Sequence, residues 1–77
     1  MPTEYIVEIY LLGSTSDIWA RFQSSNPFMP IHAGDILNPA SWSPLRAGPS
    51  THVRVARVEH IIFDTPKHKV LIYTEEL

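Results

Sequence analysis

The chain has 77 residues, no cysteine and a formal net charge of −2, with a pI near 6.0. A disulfide scaffold is excluded, and a single domain this small gains most from a partner chain. Its six cations (Arg21, Arg46, Arg54, Arg57, Lys67 and Lys69) are scattered among carboxylates, which argues against a nucleic-acid footprint or an anionic membrane as target.

Residues Glu4 to Leu12 (EYIVEIYLL) alternate as a strand, with Tyr5, Val7, Ile9 and Leu11 on one face. Ile6 and Tyr10 lie on the other, among the two glutamates, so that face is amphipathic and fit for a partner. Gly13-Ser14-Thr15-Ser16-Asp17 is a turn. Asp17 to Gln23 (DIWARFQ) fits a strand through Ile18, Ala20 and Phe22, or a helical turn behind a Ser16 or Asp17 cap. A hairpin back from the first strand is the shorter connection and favours the strand. Ser24 to Pro30 is irregular. Within Ile31 to Leu37, Gly34 is the residue suited to positive φ, and Asp35 is suited to bond nearby backbone N–H groups.

Asn38 to Ser50, punctuated by Pro39, Pro44 and Pro49, is one long loop that cannot be a central strand. Thr51 to Phe63 and His68 to Glu75 flank Asp64-Thr65-Pro66-Lys67 as a hairpin. Val53 and Val55 share a face, yet Val58, His60 and Ile62 continue on the opposite parity. One extra residue near Ala56-Arg57, a β-bulge, restores a single inward face. Val70 to Tyr73 is apolar on both faces, which implies a buried or interface strand. The expected architecture is all-β: one domain spanning residues 1–77, a small SH3-like barrel or strongly bent antiparallel sheet of about five strands.

The runs Pro30-Ile-His-Ala-Gly-Asp-Ile, Val55-Ala-Arg-Val-Glu-His60 and Val70-Leu-Ile-Tyr resemble small SH3-like β-barrel proteins of bacteria, often carried on phages or mobile gene cassettes. That resemblance implies the fold and no activity. Val70-Leu71-Ile72-Tyr73 also resembles the Val-Gln-Ile-Tyr strand of the plasmid-borne, trimethoprim-insensitive dihydrofolate reductases. Here Leu71 stands where the ligand-contacting glutamine would be and Lys69 where the preceding serine would be, and β propensity alone produces such a string.

No catalytic set emerges. The serines fall in turns and loops without a nucleophile elbow, and the carboxylates carry no paired geometry. Enzyme activity, a cofactor and a metal are therefore not expected. Counting along the hairpin sets His60 about five residues from His68, more than about 10 Å apart and too far for one ion. The candidate binding residues are Trp42, His60, Tyr73 and Trp19, aromatic and polar anchors of the kind that binding surfaces use. Trp42 either seals an end of the core or binds a ligand or peptide, with sealing favoured. The first strand is interrupted by Glu4 and Glu8 and no basic residue precedes Arg21, against a signal peptide, so the expected location is cytoplasmic. The functional expectation is a non-enzymatic interaction module that forms a homo-oligomer or takes a protein or peptide partner. The alternative is a small-ligand binder or vestigial enzyme with a pocket near Trp42 and His60.

Overall fold

The alternation of Glu4 to Tyr10 builds strand β1 (Glu4–Tyr10), and the computed structural model, which describes residues 3–42, 44, 45, 48 and 51–77, places it at the heart of one sheet. The other strands are β2 (Ile18–Ser24), β3 (Ile36–Leu37), β4 (Val53–Ile62) and β5 (Lys67–Glu75). Their order is β2-β1-β5-β4-β3, and the sheet is strongly curled into half a barrel. Among the described residues there is no α-helix, only a short 3-10 turn at Pro39–Ser41. None is long and apolar enough to cross a membrane.

The ambiguous DIWARFQ segment is a strand, antiparallel to β1 from Tyr5↔Ser24 to Tyr10↔Ile18. The polar residues that could have capped a helix close the hairpin instead. The Ser14 hydroxyl accepts from the Asp17 and Ser16 N–H groups (2.9 and 3.2 Å), the Leu11 N–H donates to the Asp17 carbonyl, and Gly13 takes φ +68°. The register skips Trp19 between Ile9↔Ala20 and Tyr10↔Ile18. This irregularity lets Trp19 and Ala20 both be buried.

β1 and β5 are both apolar on two faces, and they form the centre of the sheet. They pair in parallel, Glu4↔Lys67 through Ile9↔Ile72, while the other three pairings are antiparallel. The sheet is thus mixed, a detail that alternation within each strand could not reveal. β4 and β5 form the expected hairpin, and its register shifts between Val55 and Arg57, where the sequence calls for a bulge. Val53 and Val55 then face the same way as Val58, His60 and Ile62. Gly34 (φ +94°) and Asp35 shape the entry to β3: the Asp35 carboxylate accepts from the His32 N–H at 2.8 Å, and Asp35 and Gly34 backbone groups bond Val55.

The concave face carries the core of Val7, Ile9, Trp19, Ala20, Val53, Val55 and Ile72. On the opposite face Ile6, Glu8, Tyr10 and Leu71 are also buried. Long neighbours screen them: Arg21 Nε and Lys69 Nζ lie 3.3 and 3.6 Å from one Glu8 carboxylate oxygen, and Tyr10 stacks on Tyr73. In the loop Asn38–Ser50, Asn38 caps the 3-10 turn by accepting from the Ala40 N–H. Residues 43, 46, 47, 49 and 50 of that loop lie outside the described residues.

Candidate functional site

The β4–β5 register decides where the histidines meet. Ile62 pairs with His68 and His60 with Val70, so His60 and His68 are diagonal neighbours on the concave face. His60 Nδ1 and His68 Nε2 are 3.0 Å apart, with ring centroids at 5.2 Å and planes tilted by 30°. The expected separation of more than about 10 Å is therefore wrong. The loop begins right after Ile62, so only two residues of strand, about 7 Å, separate His60 from the point opposite His68. Imidazoles on a diagonal span that distance easily. The loop itself is held by the Lys67 N–H on the Thr65 carbonyl and the Glu4 N–H on the Pro66 carbonyl.

The parallel β1–β5 register adds a third ring. Tyr5 lies opposite His68, and the two rings meet edge-on at 6.2 Å and 62°. These three side chains floor the open end of the concave face, beyond the packed core. The segment 27–31 (PFMPI) forms the facing wall of a cavity of about 240 Å³, with Val7 and Val70 beneath it. Pro27 and Pro30 lack backbone donors, which keeps this segment out of the sheet ladder. Phe28 stands at the rim and Met29 is 84% exposed. Among the described residues, Tyr5, His60 and His68 are the titratable ones lining the cavity, and no carboxylate lines it.

The other sequence candidates lie elsewhere. Trp19 is 1% exposed, a core residue closed to any ligand. Trp42 is half-buried and packs its ring against Trp19 (centroids 5.0 Å) and Phe22 (5.8 Å), the position of a seal over the core. It does not line the cavity that His60 lines, so the structure does not bring Trp42 and His60 together. Tyr73 is on the outer face, stacked on Tyr10 at 5.0 Å and 11°, with the Arg57 guanidinium 4.4 Å from its ring centre. Burial, then the nearby Glu8, Tyr73 and Glu59, pushes the Tyr10 hydroxyl above its ordinary value.

Sequence reasoning missed Tyr5, His68 and the 27–31 wall. Placing the loop at 63–66 would have found the histidine pair; nothing local signals Tyr5, because its approach depends on parallel pairing between the chain's two ends. His32 is exposed beside Asp35, its Nδ1 3.9 Å from the carboxylate. Among the described residues no three metal-ligating side chains gather at one point.

The fold and site thus define a curled all-β half-barrel with an apolar end cavity floored by two hydrogen-bonded imidazoles. No family model, curated protein or solved structure matches the chain.

Proposed function

We propose that this domain is a non-enzymatic interaction module that pairs with a second copy of itself along the free edge of β4. The outer faces of β1 and β5, the surfaces that sequence alone offers to a partner, are already buried within one chain, with Ile6 only 2% exposed. The unpaired surface is an edge. β3 covers β4 at Val53 and Arg54, and Gly34 and Asp35 bond Val55. Beyond Val55, no strand among the described residues pairs with that side of β4.

Natural sheets guard such edges with proline, lysine or a cover, because open N–H and C=O groups recruit another strand. Residues 57–62 (RVEHII) contain neither proline nor lysine; the bulge and the charged Arg57 and Glu59 guard the start of this stretch, and beyond them Ile62 is 80% exposed. This weakly guarded end of the edge carries the reading. Beside it Phe63 and Ile36 are exposed as well. A strand edge is self-complementary about a twofold axis, so a second copy satisfies it without a new surface. On the β2 side the Leu45 N–H already bonds the Trp19 carbonyl, so that edge is partly met. The small size and absence of cysteine favour the same solution. The resemblance to cassette- and phage-borne barrels, which implies no activity, fits a module of this kind.

Sedimentation velocity tests it. The wild-type chain is expected to dimerise at micromolar concentration, and Ile62→Lys, which places a charge on the edge, to stay monomeric with an unchanged far-UV circular dichroism spectrum. A wild-type chain that remains monomeric at about 100 μM overturns the reading.

A further inference from the structure

We propose that the cavity at the open end of the concave face binds a small carboxylic acid with an apolar body, its carboxylate accepting one outward N–H of the hydrogen-bonded His60–His68 pair. The proposal rests on the geometry of a single chain and is independent of dimerisation.

Size narrows the guest first. An apolar cavity of about 150 Å³ holds a benzene ring. The cavity here is about 240 Å³, short of the ~300–1,000 Å³ of drug-sized sites. It takes one ring, or a branched chain of similar bulk, together with one short polar arm. Val7, Phe28, Met29, Ile31 and Val70 supply the apolar surface for the body.

Polarity then fixes the arm. Hydrogen-bonding side chains in the lining are concentrated on the floor, at Tyr5, His60 and His68. With Nδ1 of His60 and Nε2 of His68 at 3.0 Å, one of the two nitrogens carries the shared proton. A neutral pair offers one further N–H, on the outward nitrogen of the accepting ring. A singly protonated pair offers an N–H at both outward nitrogens and a positive charge. Among the described residues no carboxylate in the lining compensates that charge, from β1, β4, β5 or the 27–31 wall. An anion is therefore the complementary guest: the rings share their facing nitrogens, so their outward nitrogens diverge, and a carboxylate takes one outward N–H of the pair in a charge-assisted bond. A divalent metal, which also favours imidazole, would find two protein ligands and no neutralising acid.

Phenylacetate is the probe and phenylacetamide its neutral control, titrated calorimetrically into the full chain at about pH 6 and about pH 8, where the acid is ionised throughout. Phenylacetate is expected to saturate one site per chain with Kd between about 10 μM and 1 mM. It should bind roughly tenfold or more tightly than the amide, because charge-assisted bonds are about twice as strong as neutral ones. His60→Gln and His68→Gln, each checked for an unchanged circular dichroism spectrum, should each lose that preference for the acid while retaining the weak amide binding. His52→Gln, remote from the cavity, should behave as wild type. Equal affinity for acid and amide, no saturation by about 10 mM, or full acid binding by the His60→Gln/His68→Gln double variant overturns the proposal.

Discussion

Tyr10 occupies a position where burial and charge act in the same direction. Desolvation is the larger cause, and the Glu8, Tyr73 and Glu59 charges add to it, so the phenol holds its proton above the unperturbed value of 10.0. The folded chain therefore binds that proton more tightly than the unfolded chain does. The resulting stabilisation is complete below the unfolded value and declines as pH rises from there through the folded value. Urea denaturation at about pH 9 and about pH 11 should show a larger loss for the wild type than for Tyr10→Phe; equal losses would sink the assignment. Trp42 makes a different prediction. Its ring closes over Trp19 and Phe22 from a half-buried position. Trp42→Ala should cost about 2–3 kcal/mol, less than the roughly 3–5 of a fully buried tryptophan. The check is a denaturation midpoint together with a red shift in Trp19 emission, since Trp19 would then meet water.

At the scale of the element, β4 shows how one residue aligns two half-strands. With the register shifting between Val55 and Arg57, both Val53–Val55 and Val58–Ile62 present their odd-looking apolar series to the concave face. Deleting Ala56 would remove the extra residue and leave Val53, Val55, Val58, His60 and Ile62 on one parity of a regular strand, with Val55↔Thr74 followed directly by Arg57↔Tyr73. The core valines and the His60–His68 pair should therefore keep their face, and the strand should lose only the local bend and added twist of the bulge. The expected cost stays within the ~0.5–3 kcal/mol of an ordinary single change. A shortened chain that no longer melts cooperatively would contradict this account. The β1–β2 hairpin uses the same device at Trp19, with the irregularity burying a large ring rather than turning a strand. Alternation in DIWARFQ identified Ala20 and Phe22 as sharing a face, but it gave no sign that Trp19 would join the core.

For the whole molecule, the decisive feature is that the curl closes only half a barrel. The closed end holds the packed core, and the open end leaves a cavity and a weakly guarded strand edge. These two leftovers carry the two proposals, and they are separable. Pairing along β4 makes thermal stability rise with protein concentration, whereas ligand binding raises it with phenylacetate at fixed protein. Placing the ligand pocket beside Trp42 would have joined two residues that the fold holds apart: Trp42 sits over the core and His60 lies in the open end.

The order of residues along the chain, taken alone, determined the strand segments other than residues 17–23 (which it left open to a helical turn), where β4 bulges, and that Gly34 and Asp35 make the turn into β3. Each of these is a local consequence of period-two burial or of glycine and aspartate backbone chemistry. The tertiary structure alone decided that β1 and β5 run parallel, that their second faces cover themselves, and that Tyr5, His60 and His68 meet. Those outcomes depend on which strands become neighbours and at what register. Register is set by loop length and by the closing of contacts between residues far apart in sequence, and no periodicity within a single strand encodes it.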